Sequence, residues 1–345
     1  MESRPLVSVI IPMFNSERFI EGSIQSILAQ SYENLECIVV DDGSSDRSWE
    51  IAEGLQKIDS RIHLIRLVKN QGVAAASNIA LQSANGKYIA RMDADDISLA
   101  NRFSLQVSFM EAHPDVGVLG GKMRYMDESG KLLGIPPIFQ GDLSIRWHIL
   151  FENPFFNPTI MFRKSILDQF DLQYNASAVY GEEDYDFLSR LLILTKGENL
   201  SEVLLNYRLH PSSLSYRFAR ERSESVVNIS CRTVEMLLPD LDVSREEFAN
   251  LQRAIRETSA NDKRRRSRLL PVYFKLWDEF CCNHKSEPNL PSLEREVIAW
   301  AARMILYPPF QNGTFKALWL LTKTEWKWPF FLLGRLPYYL ARRQI

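Results

Sequence analysis

Cysteine is scarce in this 345-residue chain, and what there is stays unpaired. Cys37, Cys231, Cys281 and Cys282 form no CxxC motif and no spaced framework of the kind that staples small secreted folds. A reduced, cytoplasmic compartment is therefore expected. Cys281-Cys282 with His284 has the wrong spacing for zinc and no second ligand pair follows, so these read as ordinary helix-face residues. Long apolar runs are missing as well. None reaches the roughly 18 consecutive residues of a membrane span, and the segment Trp328 to Leu333 is soon interrupted by Arg335. The first apolar run begins at Val7, so no signal peptide is expected. Nor is there an excess of either charge: 41 Lys and Arg stand against 43 Asp and Glu, a net charge of −2, which leaves no nucleic-acid footprint on the whole molecule. Glycine-rich phosphate loops are absent too. No GxGxxG follows the first strand, and Gly117 to Lys122 has neither the spacing nor the Ser/Thr of a P-loop.

What is present is an alternation of short apolar runs with helical patterns over the first hundred residues. Val7–Ile11, Glu36–Val40, Ile62–Ile65 and Tyr88–Met92 read as strands, the first two as nearly continuous apolar runs suited to a parallel sheet covered on both faces. Phe19, Ile20, Ile24, Ile27 and Leu28 recur at helical spacing, as do Ile51, Ala52, Leu55 and Ile58, and alanine-rich Val73 to Ser83 reads as a closely packed helix. The order is that of a doubly wound α/β sheet. Residues 115–215 are mixed, with strands expected near 116–125, 159–163 and 203–209 and helices near 142–152 and 182–196. From about 216 the pattern becomes helical. With 46% apolar and 24% charged residues, the chain has the make-up of a globular protein with a full core.

Ligands of such sheets sit beyond the carboxyl ends of the strands. Strand one ends in Pro12-Met13-Phe14-Asn15, strand two in Asp41-Asp42-Gly43-Ser44-Ser45-Asp46, and strand four in Asp93-Ala94-Asp95-Asp96. Asp93 and Asp95 stand two residues apart, which in an extended backbone sends both carboxylates to one face. Such a pair repels itself unless a hard divalent cation and phosphate oxygens neutralise it. Turn chemistry is the alternative reading, with Asp96 capping the following helix. Taken alone, Glu182-Glu183-Asp184 reads as acidity at a helix start, favoured by the macrodipole, and His210 as a loop histidine.

In combination these segments point further. Val7 to Asn15, then Val39 to Asp46, Asn70-Gln71-Gly72, Asn78, Gly86 to Asp96, Gly181 to Phe187 and Tyr207 to Ser213 fall in the order of the family-2 inverting glycosyltransferases of GT-A fold, which the chain resembles over residues 6–215, about three-fifths of its length. The resemblance implies a GT-A-like doubly wound mixed sheet over 1–215 and a mostly helical C-terminal region over 216–345. It implies that Asp42 accepts a hydrogen bond from a uracil ring, that Pro12, Phe14, Asn15 and Glu17 line the base and ribose, and that Asn70, Asp93 and Ala94 complete the nucleotide-sugar site. Asp95 would coordinate Mn²⁺ or Mg²⁺ on the donor diphosphate, with His210 near the diphosphate or metal. Asp184 would be the general base that deprotonates the acceptor hydroxyl. Two positions depart from the family's habit: Ser77 stands where relatives often carry Arg, and Asn157 where they often carry His.

The implied reaction moves a sugar, most simply from a UDP-sugar, to a saccharide or lipid-linked saccharide, with inversion, in assembly of a surface polysaccharide. A metal-dependent nucleotidyltransferase is the rival reading, but Pro12 to Asn15 lacks the Gly-rich basic loop it would need. A non-catalytic nucleotide-sugar-binding module is the third, and intact Asp95 and Asp184 oppose it. Outside the resemblance, residues 311–345 interleave Leu318, Trp319, Trp326, Trp328, Phe330 and Phe331 with six Lys/Arg against one Glu. That composition suits a helix in the headgroup region of an anionic membrane, at the inner face of the plasma membrane. It equally suits a tail packed on the catalytic domain.

Overall fold

A computed structural model describes residues 4–177, 182–210, 223–256 and 263–306. The chain falls into two compact units, Met1–Thr233 and Val234–Ile345. The expected boundary at 215, the basic side chains of Lys263 to Arg268 and the segment 311–345 lie outside the described residues.

The first unit opens with β1 (Val7–Met13), α1 (Ile20–Leu28), β2 (Leu35–Asp41), α2 (Ser48–Gln56), β3 (Ile62–Arg66), α3 (Val73–Ser83) and β4 (Tyr88–Arg91). β1 pairs in parallel with both β2 and β4, and β2 with β3. Every residue of β2 is buried, and all of β1 except the half-buried Pro12. Burying each Val, Leu or Ile side chain contributes about 1.5–3 kcal/mol, and strands covered on both faces need no polar alternation. One polar cluster interrupts this core. The Ser8 hydroxyl donates to Glu36 at 2.5 Å and accepts from the Gly86 amide at 2.7 Å. A Cβ at Gly86 would meet the Ser8 backbone nitrogen at 2.7 Å, so only glycine lets the turn into β4 close on β1.

Beyond β4 the sheet turns mixed. β5 (Ile97–Ser98), α4 (Arg102–Ala112), β6 (Val116–Met126), α5 (Asp142–His148), a 3-10 turn at Asn157–Thr159, β7 (Met161–Arg163), α6 (Lys164–Phe170), α7 (Glu183–Leu194) and β8 (Lys196–Arg208) follow in order. The eight strands lie as β3-β2-β1-β4-β7-β6-β8-β5. β7 runs antiparallel to both its neighbours, β6 parallel to β8, and β5 antiparallel to β8. This is the doubly wound mixed sheet that the sequence implies. The chain order reverses between β2-β1 and β4, so the β1, β2 and β4 loops share one edge at the topological switch point.

Several boundaries differ from the sequence reading. β8 starts at Lys196, well before 203, because Glu198, Asn199, Ser201 and Glu202 break the apolar alternation. Parallel pairing with bulged β6 holds that stretch, and buried Asn199 donates its amide to the Phe139 and Pro154 carbonyls. Helix α5 stops at His148, and Leu150 and Phe151 continue in tight turns bonded to Trp147 and His148. Pro158 keeps 157–159 in a 3-10 turn and delays β7 to Met161. Asp96 does not cap a helix: β5 follows it, and its carboxylate serves another partner. Helices α4 and α6 had no counterpart in the sequence reading, although Phe103, Val107 and Met110 of α4 follow helical spacing and are buried.

The expected helical region consists, among the described residues, of α8 (Ser223–Leu237), α9 (Arg245–Arg256), α10 (Lys263–Asn283) and α11 (Leu290–Leu306). The second unit has a core of its own, in which Phe248, Leu251, Leu276, Phe280, Leu293 and Val297 are buried. Within it the Tyr273 hydroxyl donates to the Val297 carbonyl at 3.1 Å. Pro271 lies inside α10 without ending it. All four cysteines are free thiols; Cys281 is half-buried and His284 stacks on Phe280 at 4.1 Å, as expected of helix-face residues.

Candidate active site

Three loops at the switch point are stapled together by short polar side chains. After β1, Asn15 adopts a left-handed conformation (φ 47°), takes a hydrogen bond from the Ser45 amide at 2.9 Å and donates its own amide to Ser44. The Glu17 amide donates to Asp46, and the Glu17 carboxylate accepts from the Arg47 amide at 3.0 Å. Phe14, 46% exposed, stands out from this loop, while Pro12 is half-buried at its base.

Asp42 joins the β2 loop to the next one. It is 3% exposed, and its two oxygens accept the Gln71 and Gly72 amides at 2.7 and 2.8 Å. Burial raises its carboxyl pKa and repulsion from Asp41 adds to this, while the two amides oppose it. Gly43 (φ 74°) permits the close approach: a Cβ there would sit 2.9 Å from the Asn70 nitrogen. Asn70 itself is exposed at the rim.

The acidic cluster follows β4. Arg91, 2% exposed, pairs with Asp93 at 2.9 Å and also donates to the Met92 carbonyl. Asp93 keeps 30% of its side chain exposed, yet the surrounding protein strips water from its carboxyl. That desolvation raises its pKa against the pull of Arg91, with Asp95 and Glu183 pushing the same way. Ala94 is buried in the core, so only its backbone is available to a ligand. Asp95 receives the His210 Nε2 at 2.7 Å. Asp96, fully buried, accepts the Arg208 amide at 2.8 Å through one oxygen, and its other oxygen has no hydrogen-bond partner. Burial, reinforced by Asp95 and Asp93, pushes its carboxyl well above the usual range. One oxygen from each of Asp93, Asp95 and Asp96 lies within 4.8 Å of the others. Three crowded carboxylates, one with an unsatisfied buried oxygen, fit a hard divalent cation, for which oxygen ligands are the natural set.

Arg208 at the end of β8 ties the cluster down. Its Nε donates to the Asp95 carbonyl at 2.8 Å, and its Nη1 to the Glu128 carbonyl at 3.1 Å. The guanidinium lies 4.6 Å over the Phe19 ring, which in turn packs on His210 with centroids 5.2 Å apart.

Asp184 stands in the first turn of α7, half-buried, and accepts the Asn153 amide at 3.1 Å. Glu183, in the same turn, is the residue whose charge reaches Asp93, so the start of α7 faces the end of β4. The structure thus gathers Asp93, Asp95, Asp96 and His210 on one side and Glu183 and Asp184 on the other. Pro12, Phe14, Asn15, Glu17, Asp42 and Asn70 form the adjoining rim. Sequence reasoning missed Arg208, Asn153 and Asp96 as partners of the site. Arg91 carried a signal, since a cation at the end of a buried strand needs a nearby anion; Asn153 carried none. At the two positions departing from the family habit, Ser77 donates to the Val73 carbonyl one helical turn back, and the buried Asn157 side-chain oxygen has no hydrogen-bond partner.

The description "Glycosyl transferase family 2" matches residues 8–175. An uncharacterized glycosyltransferase of Haemophilus influenzae is 34% identical over 255 residues, 70% of this chain and 77% of the relative. The Escherichia coli UDP-Glc:alpha-D-GlcNAc-diphosphoundecaprenol beta-1,3-glucosyltransferase WfgD is 33% identical over 216 residues, 61% of this chain and 79% of the relative. Among solved structures, S. aureus TarS 1–349 in complex with UDP-GlcNAc aligns with TM-score 0.59 at 18% identity, covering 87% of this chain and 81% of that one. The mannosyltransferase PcManGT from Pyrobaculum calidifontis, in complex with GDP-Man and Mn²⁺, aligns with TM-score 0.56 at 18% identity, covering 93% and 86%. These two share the fold. On the extent and identity of the sequence matches, the chain belongs to glycosyl transferase family 2.

Proposed function

We propose that the chain is a metal-dependent inverting glycosyltransferase that moves a sugar from a nucleotide donor, a UDP-sugar first, to a saccharide hydroxyl in surface polysaccharide assembly. The observation that carries this reading is the clustering of Asp93, Asp95 and Asp96 at the switch point, with Asp184 in the first turn of α7 beside Glu183, whose charge acts on Asp93. Asp95, with Asp93 and His210 beside it, would hold Mn²⁺ or Mg²⁺ against the donor diphosphate. A bound divalent cation supplies Lewis-acid neutralisation of the charge that builds on the leaving diphosphate. Asp42 and the Phe14–Glu17 loop take the base and ribose. Asp184 accepts the proton of the acceptor hydroxyl, which is a weak nucleophile until a carboxylate within hydrogen-bond reach does so. A single base acting opposite the leaving group gives direct displacement and inversion. The lipid diphosphate acceptor in the name of the Escherichia coli relative supports a lipid-linked saccharide as acceptor. The basic, aromatic segment 311–345 accordingly serves at the inner face of the plasma membrane.

The test is a panel of UDP-, GDP- and dTDP-sugars with Mn²⁺, read by thermal shift and nucleotide release. The right donor raises the melting temperature by mass action. UDP affinity, measured by calorimetry, is expected to fall in EDTA and in Asp95→Ala. Undiminished affinity in EDTA would remove the metal from the site.

A further inference from the structure

Tyr174 is a buried phenol in an unusual setting. The residue is 3% exposed, yet its hydroxyl has no hydrogen-bond partner. A hydroxyl taken from water and left unpaired is costly, which is why buried polar groups are nearly always satisfied. Its placement is rigid all the same. The Tyr174 amide donates to the Asn78 side-chain oxygen at 2.8 Å, and its carbonyl accepts from the Asn78 amide nitrogen at 2.8 Å, which locks the backbone to α3. The ring stacks on Phe187 with centroids 4.2 Å apart and planes 15° from parallel, one turn along α7 from Asp184. Arg190, from the next turn of α7, donates to the preceding carbonyl of Gln173 at 2.7 Å. Three contacts from two helices therefore aim one phenol at a fixed point.

That point lies beside the active-site cluster, since the ring stacks on Phe187, three residues along α7 from Asp184. The charges that act on the Tyr174 hydroxyl are those of Arg91, Asp184, Glu183 and Asp93, which span the proposed metal side and the proposed base. Burial raises the phenol pKa strongly, Arg91 opposes, and the three carboxylates add to the rise, so the group stays a neutral donor. In the reading above, the transferred sugar must lie between a diphosphate held near Asp93 and a base at Asp184. A sugar ring brings several hydroxyls into that space. A preplaced, unpaired O–H is the group that distinguishes one hydroxyl arrangement from another, because a site built to pair a substrate hydroxyl discriminates strongly against its absence.

We propose that the Tyr174 hydroxyl hydrogen-bonds a hydroxyl of the transferred sugar, and so selects the sugar while leaving recognition of the nucleotide to the β1 and β2 loops. The inference rests on the assignment of the donor site to the Asp93–Asp184 cluster.

Tyr174→Phe removes one oxygen and keeps the ring on Phe187, so the fold should persist. Because the lost hydroxyl is unpaired in the free protein, the melting temperature of the ligand-free variant is expected to equal or exceed that of the wild type. The ligands are UDP and GDP, which carry no sugar, and UDP-glucose, UDP-galactose, UDP-N-acetylglucosamine and GDP-mannose, each titrated with Mn²⁺ by calorimetry. Nucleoside diphosphate affinity should stay within about twofold. The preference for the best sugar nucleotide over its own nucleoside diphosphate should fall about tenfold, the worth of one hydrogen bond of roughly 1.4 kcal/mol. Discrimination among the sugars should narrow with it. A preference unchanged in Tyr174→Phe for every donor overturns the inference, and so does an equal loss for UDP and UDP-sugars or a lowered melting temperature, either of which would make the residue structural. Failure of wild-type protein to bind UDP or GDP at all overturns the donor-site assignment itself, which separates the two failures.

Discussion

Asp184 and Asp186 share one turn of α7 and differ in what answers their charge. Asp186 is 3% exposed and pairs with two guanidinium groups, Arg190 at 2.7 Å and Arg232. Such a carboxylate is occupied in holding α7 to its surroundings, and removing it would take a shared partner from two guanidinium groups. Asp184 keeps partial exposure and accepts the Asn153 side-chain amide and the Tyr185 backbone amide, an arrangement compatible with the proposed base. Asp184→Asn is therefore expected to lower kcat by about 10²–10⁴-fold, the usual worth of a general base, with calorimetric UDP affinity nearly intact. Wild-type turnover in that variant would pass the role to Glu183. Loss of UDP binding as complete as in Asp95→Ala would move Asp184 into the donor site. Asp42, Asp93 and Asp95 were legible in the sequence because they stand where apolar strands end, whereas Asp184 at a helix start was singled out only by the family resemblance. What answers their charge was not legible. Each Asp42 carboxylate oxygen accepts a backbone amide, from Gln71 and Gly72, a pairing that a linear reading centred on ligands does not suggest.

At the scale of elements, the acidic cluster proposed to hold the metal is tied down by the far end of β8. Arg208 belongs to the last position of a strand whose register with β6 shifts three times by bulging, so sequence alone gave no way to align it with Asp95, 113 positions earlier. β1 and β2 were legible because burial on both faces leaves a nearly uninterrupted apolar run, and β3 and β4 as shorter apolar runs between helical patterns. The first half of β8 and all of β5 were not, since polar residues in one and a length of two in the other erase any period, whereas the end of β8 matches the strand expected near 203–209. The consequence is testable. Arg208→Ala would free the Asp95 and Glu128 carbonyls and unload the Phe19 ring against which His210 packs. Groups that orient metal ligands typically account for 10–100-fold in metal affinity. We expect Mn²⁺ affinity in the presence of UDP to fall by about that factor, read by titration, with lysine restoring little because it lacks the planar fork. An unchanged Mn²⁺ titration would show that Asp95 and His210 hold their places without Arg208.

For the molecule as a whole, the question is where the second unit takes the first. Among the described residues no helix is long and apolar enough to cross a membrane. The composition of the segment 311–345 supports the proposed surface attachment: Lys316, Lys323, Lys327, Arg335, Arg342 and Arg343 against Glu325, interleaved with Trp319, Trp326, Trp328, Phe330 and Phe331. Each basic residue near an anionic surface contributes about 1 kcal/mol, and the attraction is cut off beyond a Debye length of about 8 Å at physiological salt. Aromatic side chains add apolar burial that salt does not screen. Flotation of the full chain with liposomes should therefore require anionic lipid, weaken at high salt and leave a residue of binding that replacement of the three tryptophans removes. Truncation after 310 should abolish flotation while the catalytic unit keeps its UDP affinity, since the cluster at Asp93–Asp96 and the turn at Asp184 belong to Met1–Thr233. If the full chain ignores anionic liposomes and the truncated one melts early, the tryptophans and phenylalanines are packing residues, and a lipid-linked acceptor must be met by another surface.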